Sequence, residues 1–290
     1  MPAPNTISVD KLSRLIGRHD SPLLIDVRTE EDFAADPRLI PGAVRRPWAA
    51  VADWAGEIAE LDRPVVAICQ KGLKLSHGVA AWLRDAGVAA EALEGGTIAW
   101  AAAGLPEVPV AKIPPRDPRG RTVWVTRARP KVDRIACPWL IRRFVDPNAV
   151  FLFVAASEVQ AVADRFGAAP FDIEAEGVLW THRGDRCTFD VMVEEFGLGT
   201  EPMNRLATIV RGADTGHPEL APEAAGLLAM SLGLSRMYAD DLAQLEAGMG
   251  VYDALYRWCR DATDEVHDWP PVPLNKAEAQ ARAKRAGARR

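Results

Sequence analysis

The sequence has 290 residues, which is enough for two domains at about 150 residues each. It is 48% hydrophobic and 26% charged, as in ordinary globular proteins, and it has no apolar run of the roughly 20 residues that span a bilayer. The composition therefore excludes a membrane protein and predicts no membrane partner. Pro2, Pro4 and Asn5 interrupt the apolar stretch that a secretory signal would need, so we expect a cytoplasmic protein.

The distribution of charge disfavours nucleic acid as a partner. The formal net charge is -5, although the last sixteen residues contain six lysines and arginines and only one acidic residue. The rest of the chain is therefore more acidic than the whole and matches a phosphate backbone poorly. We expect residues 271–290 to be a basic, disordered tail.

A proline-rich segment divides the chain. Five prolines lie between Pro106 and Arg121, and they interrupt any helical or strand periodicity there. The pattern predicts a linker at residues 107–121, between one domain at 1–106 and a second at 122–270.

In the first domain, short apolar runs alternate with helical patterns. The predicted strands are residues 23–27, 65–68 and 90–93, and the predicted helices are residues 9–17, 49–60 and 76–86. This alternation is typical of βαβ units, so it predicts an α/β domain with a mostly parallel sheet flanked by helices.

The second domain has a different pattern. Strands are predicted at residues 122–126, 150–155 and 178–182, with a helix ending near Phe144, and helical patterns dominate from Thr188 onward. Apolar residues at spacings of three to five predict one helical face or two short successive ones: Met237, Leu242, Leu245, Met249, Tyr252, Tyr256 and Cys259. The second domain is therefore expected to be α+β and largely helical.

The four cysteines, Cys69, Cys137, Cys187 and Cys259, are too widely spaced to form a CxxC zinc motif. In a reducing compartment we also expect no disulfide framework. Cys137 can be read as a residue near a helix N-terminus or as a small buried core residue.

Cys69 lies between a predicted strand and a predicted helix. Ligand sites in open α/β sheets form at the carboxyl ends of strands, where helix N-termini favour an anion. The positive electrostatic field at such a helix N-terminus, together with the charges of Lys71 and Lys74, favours the thiolate form of Cys69 and hence a nucleophile. Taken alone, a cysteine at the end of a strand is more often a buried structural residue.

Six motifs of the first domain occur in the order found in rhodaneses. They are Leu24-Ile-Asp-Val-Arg28, Ile40-Pro-Gly-Ala43, the Cys69 loop with Gly72, Leu93-Glu-Gly-Gly96, Ala99-Trp100 and Gly104-Leu-Pro106. Residues 7–106 thus resemble a single-domain rhodanese. The resemblance implies a sulfurtransferase whose nucleophile, Cys69, takes sulfur from a thiosulfate-like donor and holds it as a persulfide. The sulfur then passes to a thiol or cyanide-like acceptor, and no cofactor is required.

The resemblance also assigns the residues around the nucleophile. The loop that would hold the donor oxyanion consists of Gln70, Lys71, Gly72, Leu73, Lys74, Leu75 and Ser76. Asp26 and Arg28 are expected to organise the loop from behind. Active rhodaneses usually carry Arg and then Ser where this chain has Lys74-Leu-Ser76, one residue longer. Since lysine cannot grip an oxyanion bidentately, the donor need not be thiosulfate itself.

In the second domain, a polar loop with a histidine leads into a predicted helix. His182, with the carboxylates of Asp190 and Asp214, offers the ligand types of a divalent metal site, provided that separate segments converge. Alternatively, Asp190 is a helix-start acid, Asp214 a turn residue and His182 a surface histidine. Arg134, in a basic turn of this acidic domain, is expected to contact an anion near the same site.

Residues 121–270 resemble the C-terminal domain of the ChrB-type chromate-resistance family. The matching phrases are residues 129–144, Trp180-Thr-His-Arg-Gly184, Cys187-Thr-Phe-Asp190, Val210-Arg-Gly-Ala-Asp214, Ser231-Leu-Gly-Leu-Ser235 and residues 252–261. The resemblance implies a part in the response to chromate or a related oxyanion. Relatives often have His at position 211 and Glu at position 190, a set that would suit a ligand site better than Arg211 does.

Together these features predict a rhodanese-type sulfurtransferase coupled to a chromate-response domain and acting in resistance to chromate or thiol stress. The alternative is a non-enzymatic sensor or regulator of chromate resistance, in which Cys69 binds an oxyanion or is oxidised without turnover. DNA-binding regulation is disfavoured by the charge distribution and by the lack of a recognisable reading helix.

Overall fold

The computed structural model describes residues 5–265, so the predicted tail at 271–290 lies outside the described residues. The strands are β1 (Thr6–Ile7), β2 (Leu23–Asp26), β3 (Arg38–Leu39), β4 (Ala43–Arg45), β5 (Val65–Ile68), β6 (Ala90–Leu93), β7 (Val108–Pro109), β8 (Val123–Arg127), β9 (Val150–Val154) and β10 (Ala169–Pro170). The helices are α1 (Val9–Leu15), α2 (Glu30–Ala35), α3 (Val51–Ala59), α4 (Lys74–Asp85), α5 (Gly96–Ala102), α6 (Asp133–Leu140), α7 (Val159–Phe166), α8 (Thr188–Glu195), α9 (Glu201–Asp214), α10 (Ala224–Met237) and α11 (Asp241–Asp261). Within the described part of the chain, no helix has both the length and the apolar character that crossing a bilayer requires.

A five-stranded sheet with the order β1-β6-β5-β2-β4 forms the centre of the first domain, and all of its strand pairs are parallel. Its central strand β5 is apolar throughout, and β2 and β6 each contain a single acidic residue, because both faces of the sheet are covered. Leu23 and Ile25 of β2 pack with α3 and α4, while Leu24 faces the opposite core with Leu12 of α1 and Trp100 of α5. The predicted α/β class is confirmed.

The proline-rich segment at 107–121 contacts both domains. Its strand β7 pairs antiparallel with β3, placing Val108 opposite Leu39. Lys112 Nζ lies 2.6 Å from Glu195 Oε2 of α8. These contacts fix the path of the segment, while the domain boundaries themselves stay a prediction.

The second domain begins with a small parallel sheet in the order β10-β8-β9. Trp124 of β8 enters the main core and its neighbour Val125 faces α7, so this sheet is also covered on both faces. The strand predicted at 178–182 is wrong: those residues form a loop, in which only Trp180 makes a β-bridge, to Phe171. The apolar run there reflects Trp180 packing on Trp124, with ring centroids 4.8 Å apart, and not pairing along a strand.

The C-terminal half is helical, as predicted, and it contains two successive helices where the sequence left that choice open. α10 ends at Met237, and Asp240 caps α11 by accepting a hydrogen bond from the Ala243 N–H at 2.7 Å. Because the break falls between them, Met237 and Leu242 are exposed and do not continue the buried face. The remaining members of the predicted face, Leu245, Met249, Tyr252, Tyr256 and Cys259, are buried.

The two domains share one hydrophobic core. Phe144, in the π-helical turn after α6, packs on Trp139 and Tyr256, and its carbonyl accepts a hydrogen bond from the Gly42 N–H of the first domain at 2.6 Å. A Cβ on Gly17 would lie 2.4 Å from the Phe144 ring, so only glycine allows this close approach. The second domain therefore packs directly on the sheet that carries Cys69.

Candidate functional site

Cys69 is the first residue after β5, at the carboxyl edge of the parallel sheet. Its side chain is buried, with the residue 4% exposed. The Sγ atom accepts a hydrogen bond from the Leu73 N–H at 3.3 Å and lies 3.2 Å from the Ser76 hydroxyl. The thiol is thus positioned inside a tight turn that leads into α4.

Two glycines allow the Cys69 turn to close. Gly72 has a φ of +63°, and a Cβ on it would lie 2.3 Å from the Leu93 carbonyl oxygen. Gly96 has a φ of +60°, and a Cβ there would lie 2.1 Å from the Cys69 carbonyl oxygen. The Thr97 N–H, in the first turn of α5, donates to that same carbonyl at 3.1 Å. The turn therefore rests on the backbone of the β6–α5 connection.

The predicted oxyanion loop is partly helical. Residues 70–73 form the turn, whereas Lys74, Leu75 and Ser76 already belong to the first turn of α4. Helix α4 thus begins two residues earlier than the sequence predicts. Its N-terminal amides and the exposed ammonium groups of Lys71 and Lys74 create a positive edge around the buried sulfur.

Asp26 and Arg28 form a buried ion pair at the end of β2, with the Arg28 Nη2 atom 2.6 Å from Asp26 Oδ2. Arg28 also donates to the carbonyls of Asp36 at 2.9 Å and Arg38 at 2.6 Å. The pair thus fastens the α2–β3 connection to β2. Support of the Cys69 loop is indirect: the backbone N–H of Val27, between the two residues, donates to the Ile68 carbonyl at 2.8 Å.

In the second domain, four polar side chains from separate elements converge on one point. We call them the acidic cluster: Asp133, Asp172, His182 and Asp214. Asp133 begins α6, Asp172 follows β10, His182 lies in the loop before α8, and Asp214 ends α9. The His182 Nε2 atom lies 3.3 Å from Asp172 Oδ1, 3.4 Å from Asp214 Oδ2 and 3.6 Å from Asp133 Oδ2.

Charge and burial perturb the groups of the acidic cluster. Burial, reinforced by the neighbouring carboxylates, raises the pKa of Asp133 to about 8. The carboxylates of Asp133, Asp172 and Asp214 raise the pKa of His182 to about 12. Burial also raises the pKa of the Cys187 thiol, whose Sγ lies within 4.8 Å of ligand atoms of Asp133 and Asp214.

The sequence placed Asp190 beside His182 and Asp214, and the structure corrects this. Asp190 is at the start of α8, where its Oδ2 accepts from the Cys187 N–H at 3.0 Å and its Oδ1 lies 3.1 Å from Arg211 Nη1. It thus acts as a helix cap paired with an arginine, the alternative that its position before a helical pattern suggested. The carboxylates that lie next to His182 and Asp214 are those of Asp133 and Asp172, and not that of Asp190.

Arg134 lies beside the cluster, and the anion that it contacts is part of the protein. Its Nε is 3.1 Å from Asp172 Oδ2, and Arg127 Nη2 is 2.9 Å from the same oxygen.

Cys137 is a fully buried core residue, which agrees with the second of the two interpretations that the sequence allowed.

Neither Asp133 nor Asp172 was among the ligands predicted from the sequence. A usable pattern was present for Asp133, which starts the helix that follows β8. Polar residues at the carboxyl edge of parallel strands converge in space, and that rule would have selected Asp133. Asp172 follows a strand of only two residues, which is too short to recognise in the sequence.

Fold and site together define an α/β module with a cysteine at the carboxyl end of its central strand, joined to a helical domain that holds an acidic cluster. Residues 8–103 match the family model of the rhodanese-like domain, and residues 124–259 match that of the ChrB C-terminal domain. The chain therefore belongs to the rhodanese-like family through its first domain, and its second domain is similar to the ChrB C-terminal domain. Both resemblances found in the sequence are confirmed.

Individual relatives match one part of the chain each. Protein ChrB of Cupriavidus metallidurans is 39% identical over 157 residues, which is 53% of this chain and 46% of that protein. A sulfurtransferase of Allochromatium vinosum is 35% identical over 105 residues, which is 36% of this chain and 94% of that protein. The chain thus spans about half the length of the ChrB relative.

Solved structures also resemble the first domain. A rhodanese-like domain protein from Staphylococcus aureus is 26% identical, with 33% of this chain and 90% of that chain covered and a TM-score of 0.29. A thiosulfate sulfurtransferase from Pseudomonas aeruginosa is 28% identical, with a TM-score of 0.31. The match covers 37% of this chain and 19% of that chain.

Proposed function

We propose that this protein is a sulfurtransferase in which Cys69 carries sulfur as a persulfide, and that it acts in the response to chromate or a related oxyanion. The observation that carries the proposal is the position of the Cys69 sulfur. It lies at the carboxyl end of β5, accepts the Leu73 N–H, and is followed directly by the N-terminus of α4. Such a position stabilises a thiolate and an anionic sulfur adduct.

The first half of the reaction is a displacement at sulfur. The Cys69 thiolate attacks the outer sulfur of a thiosulfate-like donor, a new S–S bond forms at Sγ, and the donor S–S bond breaks. Sulfite leaves with the electron pair of that bond. In the second half, a thiol or cyanide attacks the outer persulfide sulfur, the Sγ–S bond breaks, and the Cys69 thiolate is restored. No oxidant, reductant or cofactor is consumed.

The turn around Cys69 supplies the electrostatics of this reaction. The Leu73 N–H donates to the Cys69 sulfur, and the charges of Lys71 and Lys74 attract an anionic donor. Lysine holds an oxyanion as a point charge and lacks the planar fork of arginine. The site therefore suits a range of anionic sulfur donors and is not specialised for a single sulfonate.

The second domain links the proposed activity to chromate. The match of residues 124–259 to the ChrB C-terminal domain supports this link. The core shared by the two domains supports coupling between them, because the Gly42 N–H donates to the Phe144 carbonyl across the interface. A sulfurtransferase attached to such a domain would supply reduced sulfur where chromate exposure depletes thiols.

Turnover of thiosulfate with cyanide tests the proposal. The wild-type chain should form thiocyanate catalytically, and Cys69→Ala should form none above background. Cys259→Ala is the matched control, since it removes another buried thiol, at the end of α11, and should keep wild-type turnover. Equal turnover in the Cys69→Ala and wild-type proteins would contradict the proposal.

A second candidate function is a non-enzymatic sensor. The observation that favours it is the burial of Cys69, which is 4% exposed, because a thiol that a donor reaches slowly suits a single modification better than turnover. A sensor would take up one sulfur or one oxidising equivalent at Cys69 and release no thiocyanate. The thiocyanate assay therefore separates the two functions.

A further inference from the structure

We propose that the acidic cluster of the second domain is a binding site for one divalent transition-metal ion of the Zn²⁺ or Mn²⁺ class. The ligands are one carboxylate oxygen from each aspartate and the His182 Nε2 atom. This site is separate from Cys69 and does not depend on sulfur transfer.

The strongest observation is an unpartnered buried carboxylate oxygen. The Asp133 side chain is 2% exposed, and its Oδ2 atom has no hydrogen-bond partner. That oxygen points at His182 Nε2, but their separation of 3.6 Å is too long for a hydrogen bond. A buried carboxylate is costly unless it is paired or coordinates a metal. The Oδ2 atom of Asp133 thus has no hydrogen bond at the point where the other three ligands meet, and its only ionic contact within the described part of the chain is the long one to His182.

His182 alone cannot satisfy the cluster. One imidazole nitrogen carries at most one hydrogen, while oxygens of three aspartates face the Nε2 atom at 3.3, 3.4 and 3.6 Å. A single Nε2–H can serve only one of them well. A metal ion at the common centre would bind all three oxygens and the nitrogen lone pair together.

The spacing of the ligand atoms fits a single ion. Ligands about 2.0–2.1 Å from a tetrahedral ion are about 3.3–3.4 Å from one another. The three distances from His182 Nε2 lie close to this value. The ligand atoms of Asp133, Asp172 and His182 also all lie within 4.8 Å of one another, whereas Asp214 groups in this way with Asp133 and Cys187. Three ligand atoms are therefore already close together, and the Asp214 carboxylate, 3.4 Å from His182 Nε2, has to shift to join them.

Neighbouring groups orient the ligands and set the charge. Arg127 and Arg134 both hold Asp172 Oδ2, and the Thr188 hydroxyl donates to Asp172 Oδ1 at 3.1 Å. Fixed ligands of this kind are typical of metal sites. With Asp172 paired to arginines, the carboxylates of Asp133 and Asp214 supply the two negative charges that a divalent ion balances.

The donor set also indicates the type of ion. Carboxylates suit Mg²⁺ and Mn²⁺, whereas imidazole suits zinc and iron, so a mixed set of three oxygens and one nitrogen favours a borderline first-row ion. The His182 side chain is 40% exposed, which gives the ion a route from solvent to the buried oxygens. Water can complete the coordination on that side.

Direct titration tests the proposal. The full-length Cys69→Ala protein, stripped with a chelator, is titrated with Zn²⁺ alone and with Mn²⁺ alone by calorimetry. Using this background removes the most reactive thiol as a competing ligand. We expect one site per chain for at least one of the two ions, with a higher melting temperature when the ion is bound. Asp133→Asn and Asp214→Asn should each weaken binding at least about tenfold.

Asp190→Asn is the matched control. It changes an aspartate next to the cluster but keeps the oxygen that caps α8, so its affinity should stay within about twofold of the parent. Without metal, Asp133→Asn should be at least as stable as the parent, because it replaces a buried carboxyl group whose Oδ2 atom has no hydrogen-bond partner; this keeps misfolding distinguishable from ligand loss. Absence of a stoichiometric site for both ions, or binding that survives Asp133→Asn and Asp214→Asn, would overturn the proposal.

Discussion

Gly96 shapes the Cys69 turn although it lies 27 positions further along the chain. Its φ is +60°, and the position of its missing Cβ is 2.1 Å from the Cys69 carbonyl oxygen, a backbone atom that cannot move without opening the turn. The requirement for glycine at this position therefore follows from both conformation and space.

Gly96→Ala is predicted to destabilise the protein by more than about 1 kcal/mol and to reduce thiocyanate formation strongly. The control is Gly78→Ala in α4, where a Cβ meets nothing within 4 Å. That change should stabilise the helix by about 0.5–1 kcal/mol and leave turnover unchanged. Denaturant unfolding and the thiocyanate assay measure both effects. If Gly96→Ala had the stability and turnover of Gly78→Ala, this account of the turn would be wrong.

Individual residues differ in how far the sequence could predict them. The sequence selected Cys69 because its position depends on local order: an apolar strand, a cysteine, then a helix. It selected Asp190 wrongly because ligand convergence depends on three-dimensional packing, and spacing along the chain cannot distinguish a carboxylate that caps a helix from one that joins the acidic cluster. Asp172 lies in a segment without periodicity, so only the second sheet reveals its place beside His182.

At the scale of elements, Glu195 forms ion pairs that connect α8 to two loops. Its carboxylate lies 2.6 Å from Lys112 Nζ in the proline-rich segment and 2.7 Å from Arg183 Nη1 in the loop before α8. Lys112, followed by Arg183, lowers the pKa of Glu195 below its ordinary value of 4.5. A lowered pKa in the folded state means that the ionised carboxylate stabilises the fold.

The contribution of Glu195 should therefore depend on pH. The stabilisation is fully present above pH 4.5, and it is lost as the pH falls through the lowered pKa of Glu195 in the folded state. Glu195→Gln should cost about 1 kcal/mol at neutral pH and progressively less in acid. Glu194→Gln, which changes a more exposed neighbour paired with Arg186, should change stability by less than about 0.5 kcal/mol. A loss in Glu195→Gln that is the same at pH 7 and pH 3 would contradict the role given to this ion pair.

The elements themselves were predicted unevenly. The strand β5 at the centre of the first sheet is a continuous apolar run because the sheet is covered on both faces, and such a run is conspicuous in a sequence. The two-residue strands β1, β3, β7 and β10 contain too few residues to show a period. The false strand at 178–182 shows the opposite error, since Trp180 is buried through side-chain packing without strand pairing along the segment.

At the scale of the whole molecule, the shared core joins domains that the proline-rich segment separates in sequence. Phe144 packs against Trp139 and Tyr256 on one side and Gly17 on the other. The composition and the prolines predicted two domains but gave no information on how they meet, because docking depends on surfaces that are assembled from distant residues.

The shared core predicts that both domains unfold in one transition. Phe144→Ala should lower the stability of that single transition by about 3–5 kcal/mol, since it empties a buried site at the interface. Phe166→Ala, at an exposed position of α7, should change it by less than about 0.5 kcal/mol. Calorimetry together with tryptophan fluorescence reports on the whole chain. Two separate transitions, with only one shifted by Phe144→Ala, would show that the domains are energetically independent.

The most direct test of the central claim is mass spectrometry of the protein after treatment with thiosulfate. The account predicts the added mass of one sulfur atom on the peptide that contains Cys69, its loss after cyanide, and no such adduct in Cys69→Ala. Cys137, Cys187 and Cys259 should remain unmodified because burial raises the pKa of each of these thiols and disfavours the thiolate. A persulfide that persists in Cys69→Ala, or that forms mainly on one of the other three cysteines, would contradict the account.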